Sequence, residues 1–183
     1  MRRRLPLACC LLLAGCGNTQ QRPPDLAVPA PPSGATPLSF DAQGVRLAAP
    51  GGWHVQAGQP PLVATIQSGP AQIAIWRYPR TEPLPKTGSQ LSQARDLLLQ
   101  AARARDQTFK EARTAITRLD GHPAIEVRGT ETVGGRPQAV RSTHVYAFGA
   151  EVVVDAFAPA NVFGQVDRDA FRPLARSLRL QAP

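Results

Sequence analysis

AIEVRGTETVGGRPQAVRSTHVYAFGAEVVVDAFA, residues 124–158, is the stretch whose reading decides the fold. Runs rich in Val, Thr, Ile and aromatic residues are broken at Gly134-Gly135 and Gly149-Ala150, pairs suited to two-residue hairpin turns. The pattern predicts an antiparallel meander with strands at 124–132, 138–148 and 151–158, led into by 109–119 through Asp120-Gly121.

The register of the last hairpin brings side chains together. With Gly149-Ala150 as the turn, Phe148 faces Glu151, Tyr146 faces Val153, His144 faces Asp155 and Ser142 faces Phe157. Ser142, His144 and Asp155 then share one side of the sheet. A Ser-His-Asp relay is conceivable there, but Ser142 sits in mid-strand, where neighbouring amides are committed to the ladder and cannot form an oxyanion hole. A structural or ligand-facing His144-Asp155 pair is the expectation.

Upstream, residues 62–67 and 72–78 form a hairpin through Ser68-Gly69-Pro70. Its second strand is apolar on both sides, with Ile73 and Ile75 on one and Ala74, Trp76 and Tyr78 on the other, so cover on both faces is expected. Trp76, Tyr78, His144, Tyr146 and Asp155 are the candidate binding residues. Short strands are also expected at 38–42, 45–48 and 53–56. Thr87-Gly88-Ser89-Gln90 has the form of a capping box, and Leu91, Ala94, Leu98, Ala101 and Ala102 recur at helical spacing up to about Asp106. A last helix at 167–178 contains Pro173, which should bend it or delay its start.

The amino terminus carries a different message. Arg2-Arg3-Arg4 precede an apolar run ending in Leu13-Ala14-Gly15-Cys16. Residues 5–15 would make roughly 16 Å of helix against a hydrocarbon core of about 30 Å, too short to span. The four residues resemble the lipobox of bacterial lipoproteins, in preference to a plain secretory signal. That resemblance implies a signal peptide at 1–15 and diacylglycerol, with a further acyl chain such as palmitate, on Cys16. It places the chain at the extracytoplasmic face of the cell membrane, or of the outer membrane in an envelope with two. Residues 16–37 hold six prolines and few large apolar side chains, so a disordered tether, dispensable for folding, is expected, with the domain at 38–181.

Composition narrows the function. Cys9 and Cys10 leave with the signal, so Cys16 is the mature chain's only cysteine, and disulfides within the domain are excluded. The net charge of +8 falls to +5 without Arg2, Arg3 and Arg4, and the remaining cations are scattered singly, which argues against nucleic acid as a partner. His54, His122 and His144 lack metal-site spacing, and there is no phosphate loop, dinucleotide fingerprint or nucleophile elbow. No metal, no cofactor and no enzymatic activity are expected.

The order of elements then meets a known pattern. Phe40 to Ala49-Pro50-Gly51-Gly52-Trp53, hairpin, helix, Gly121-His122-Pro123-Ala124, meander, Ala158-Pro159 and a closing helix ending Arg176-Ser177-Leu178 resemble the PsbP-like family. Actinobacterial lipoproteins of the LpqN type share the lipobox and proline-rich tether. The resemblance implies an α+β fold, an antiparallel sheet flanked by helices as an α/β/α sandwich. It also implies a non-enzymatic role in binding proteins or stabilising assemblies of the cell envelope, and supplies no site residues. The alternative function is carriage of a small apolar or lipid ligand between sheet and helices.

Overall fold

The computed structural model describes residues 27–183. The signal at 1–15, Cys16 and the tether up to residue 26 lie outside the described residues. Seven strands form the main antiparallel sheet in the order β3-β4-β5-β9-β8-β7-β6, and β1-β2-β10 form a second, smaller one. In chain order they are β1 Ala35–Phe40, β2 Val45–Pro50, β3 His54–Ala57, β4 Leu62–Ser68, β5 Ala71–Pro79, β6 Lys110–Leu119, β7 His122–Val133, β8 Arg136–Ala147, β9 Ala150–Ala158 and β10 Arg179–Leu180. The mixed α+β architecture expected from the sequence is the one observed.

Helix α1, Gly88–Arg105, starts where its cap dictates. Thr87 Oγ1 accepts from Gln90 N–H at 3.3 Å, and Gln90 Oε1 accepts from Thr87 N–H at 3.1 Å, which satisfies two otherwise orphaned amides. Arg103 and Arg105 stand in its last turn, favourable to the dipole. Leu91 and Leu99 are buried against Ile125, Val127 and Val140 of β7 and β8, so α1 covers one end of one sheet face. Phe109, at the end of the following loop, reaches β7 over Gly129. A Cβ there would lie 2.4 Å from Lys110 O and 2.9 Å from the Phe109 ring, so a side chain would push this corner apart.

The opposite face carries the larger core, with Ile66, Ile73, Ile75, Val145 and Val152 fully buried beneath Leu174 and Leu178. The covering element is longer than the sequence predicts. Helix α2, Ala160–Val166, runs through a π-helical turn, Asp167–Phe171, into α3, Arg172–Ser177. Pro173 has no amide hydrogen, and the widened turn, in which Arg172 N–H reaches Asp167 O, lies immediately before it. Asp167, 3% exposed, accepts from Arg141 and from Arg172 Nε at 2.9 Å, while Glu126 joins Arg128 and Arg141. This network fastens the π turn to β7 and β8.

The boundary expected at residue 38 is corrected. β1 begins at Ala35, opposite Pro50, and Ser33 N–H donates to Gly51 O at 2.9 Å. Pro29 is buried, and the Trp53 indole donates to Ala30 O at 3.0 Å. Trp53 in turn meets Phe171 edge-on at 6.3 Å. The proline-rich segment cannot make a core of its own, but it completes one that Trp53 and the closing helices have begun.

Candidate functional site

Three rows of side chains cross β5, β9 and β8 on the face toward α1. They are Ala74, Asp155 and Ser142; then Trp76, Val153 and His144; then Tyr78, Glu151 and Tyr146. All five residues singled out from the sequence therefore lie on one face of three adjacent strands. Their pairing differs from expectation. Ala147 pairs with Ala150, so the turn is Phe148-Gly149, with both residues at positive φ, 47° and 67°. That is the form of a type I′ hairpin, whose twist suits the flanking strands. Phe148 accepts the left-handed conformation as its ring meets His122 edge-on at 5.1 Å.

The slip moves β9 by two residues against β8. Asp155 now faces Ser142 in place of His144, and His144 faces Val153. His144 Nδ1 lies 2.7 Å from Glu151 Oε1, and its Nε2 lies 2.9 Å from Ser142 Oγ. Ser142 Oγ donates to Asp155 Oδ1 at 2.5 Å, and Arg80 donates to the other Glu151 oxygen. The direct His144-Asp155 pair is replaced by a chain: Arg80, Glu151, His144, Ser142, Asp155. Glu151, Arg80 and the bridging role of Ser142 escape the sequence reading. The available signal was one glutamate at the head of the otherwise apolar run Val152-Val153-Val154.

Burial works against Glu151, but hydrogen bonds from His144 and Arg80 outweigh it and hold the carboxyl below its ordinary value. At Asp155 burial prevails over the Ser142 hydrogen bond, and the pKa is raised. Burial also raises the Tyr78 hydroxyl, as do the charges of Asp155 and Glu151. Tyr146, buried beside Glu151, is raised further.

Ser142 has one hydrogen to place and lone pairs that can accept, so its hydroxyl links His144 Nε2 to Asp155 Oδ1.

Above this chain a cavity of about 430 Å³ opens between α1 and the sheet. Leu98, Ala101 and Ala102 of α1 and Phe109, Val127 and Val140 give it apolar walls, while Ser142, His144 and Asp155 line the sheet side. Arg105 closes one end by pairing with Glu131 at 3.0 Å. A second space of about 560 Å³ lies under Pro83, Leu84 and Pro85, with Arg80 and Glu151 lining both. Trp76 lines neither space. It stacks on Tyr78, rings 6.2 Å apart and 12° from parallel, and so backs the Tyr78 wall. Among the described residues no three His, Cys, Asp or Glu side chains gather as a metal site.

Ser142, His144 and Glu151 share the connectivity of a hydrolytic triad, but the surroundings lack its other parts. Ser142 lies in β8 between β7 and β9, so the adjoining amides are held in ladders, and the Asp155 carboxyl occupies the space beside Oγ.

No family model and no curated protein matches the chain. By structure it is similar to cyanobacterial PsbP (CyanoP) of Synechocystis sp. PCC 6803, with a TM-score of 0.62 at 13% identity, over 92% of this chain and 99% of that one. It is similar to LpqN of Mycobacterium tuberculosis, a protein involved in cell envelope biogenesis, with a TM-score of 0.54 at 17% identity, over 82% of this chain and 91% of that one. Likeness extends to the Saccharomyces cerevisiae Ran-binding protein Mog1p, with a TM-score of 0.53 at 7% identity, over 81% and 96% respectively. The fold is PsbP-like.

Proposed function

We propose that this chain is a non-enzymatic binding domain of the cell envelope, anchored to a membrane through lipidated Cys16, and that it holds a small ligand between α1 and the sheet. The observation that carries the reading is the cavity of about 430 Å³, with apolar walls and a hydrogen-bonded polar floor. Its volume lies in the range of small-molecule sites, roughly 300–1,000 Å³. A surface made for a protein partner should instead expose a contiguous apolar patch. Among the described residues the exposed large apolar side chains outside the cavity, Val28, Leu97, Ile116 and Phe148, come from the segment before β1, α1, β6 and the β8–β9 turn. The cavity thus moves the emphasis from an assembly partner to the carrier alternative. Support for an envelope role comes from the lipobox and from the like fold of LpqN.

The test is native mass spectrometry of the lipidated protein released from its own membranes, beside an Ala102→Trp variant that fills the cavity. A small-molecule adduct on the wild type that disappears in the variant is the expected result. An adduct-free wild type that retains a stoichiometric protein partner would overturn the ligand reading.

A further inference from the structure

We propose that the cavity binds a protonated amine carrying a small apolar body, with the ammonium group on Asp155 Oδ2 beside the Tyr78 ring. The proposal rests on the small-ligand reading and adds the ligand's chemical class.

Each arginine of the lining already has a carboxylate. Arg105 of α1 is paired with Glu131 of β7, and Arg80, after β5, with Glu151 of β9. An anionic ligand would meet the negative charge of those carboxylates beside each arginine. Asp155 differs, because its Oδ1 accepts from Ser142 while its Oδ2 accepts no hydrogen bond among the described residues. Nor is Oδ2 one of the sealed, unpartnered polar atoms; it retains surface in the cavity that Asp155 lines. The open position is thus an acceptor with formal or latent negative charge, set among apolar walls. A group that donates hydrogen bonds and carries positive charge is its complement.

The aromatic side supports the same choice. Tyr78 lines the cavity, is stacked from behind by Trp76, and lies close enough to Asp155 and Glu151 for their charges to raise its hydroxyl. The ring face carries the negative end of its quadrupole, which attracts a cation. An ammonium group at Oδ2 favours ionised Asp155, whose Oδ1 already accepts from Ser142.

Isothermal titration of the full mature chain in neutral-lipid nanodiscs tests this with three probes of one shape, hexylammonium, hexanol and hexanoate. The ammonium–carboxylate contact should make hexylammonium bind about 10- to 100-fold more tightly than hexanol, with hexanoate weakest. Asp155→Asn should remove that advantage and leave hexanol binding as it was. Equal binding of hexylammonium and hexanol to the wild type would overturn the amine assignment while leaving the cavity reading intact. Binding of none of the three would remove both. The wild-type comparison decides the matter even if the variant folds poorly.

Discussion

Glu151→Gln keeps the shape of the side chain that organises the polar floor and removes its charge. One Glu151 oxygen takes His144 Nδ1–H at 2.7 Å, the other takes Arg80, and the side chain is only 4% exposed. A glutamine can accept from one of these donors; its amide hydrogens must then face the other. Hydrogen bonds to charged groups contribute about 1.5–3 kcal/mol each, and stripping one partner from a buried pair costs about 3–5 kcal/mol. Arg80 is 46% exposed and can turn back to water, so its share is discounted, and the expected loss is about 3 kcal/mol at neutral pH. For a domain of this size that lowers Tm by about 6–12 °C. The sign with pH follows from the lowered pKa. The stabilisation is present above the ordinary value of 4.5 and is lost as pH falls through the lower folded value, where the wild-type carboxyl becomes neutral as well. Melts of the two proteins followed by circular dichroism should therefore differ at neutral pH and converge in acid. A variant melting within about 2 °C of wild type at neutral pH, or a gap undiminished in acid, would refute the assignment of Glu151 as the charged centre of the chain.

Asp155→Asn should behave with the opposite sign. Its raised pKa means that folding favours the protonated acid, a contribution complete below the ordinary 3.8 and lost as pH rises through the higher folded value, so the variant should gain on wild type as pH increases. A drop of several degrees on the neutral side would count against it. Removal of the proline-rich segment through Gly34 takes away Pro29 and the acceptor of the Trp53 indole, and should cost about 2 kcal/mol with a red-shifted Trp53 emission. An unshifted spectrum and melting point would mean the segment contributes nothing, as its composition alone suggested. Cys16→Ala should abolish membrane retention while the domain stays folded, since two acyl chains anchor stably; a variant that still pellets after a carbonate wash would contradict the lipid anchor.

The parts of this fold that were legible are those written in adjacent residues. Thr87 and Gln90 lie three apart, and the capping box formed between them as read. Gly134-Gly135 turned the chain between β7 and β8 where expected, because glycine permits that turn with either neighbour. The segment at 28–34 was unreadable because its cover, Trp53 and the closing helices, lies elsewhere in the chain. Composition reports what a segment can bury by itself, not what it can help to bury.

The site failed in a more instructive way. Which face a strand residue occupies depends only on counting by two, so a register slip of two residues leaves every face intact and changes every partner. Trp76, Tyr78, His144, Tyr146 and Asp155 accordingly came together, while His144 lost Asp155 and acquired Glu151. The slip turned on a single choice. Gly149 can serve as the first residue of one hairpin turn or the second of another, and only the second requires Phe148 to take a positive φ, which sequence statistics discourage. Contact with His122, brought in by the β6–β7 turn, supports that conformation from outside the hairpin. The partner of His144 thus goes with the positive φ of Phe148, and the ring in contact with Phe148 comes from outside the hairpin. A local reading could find the face of this site, but not its chemistry.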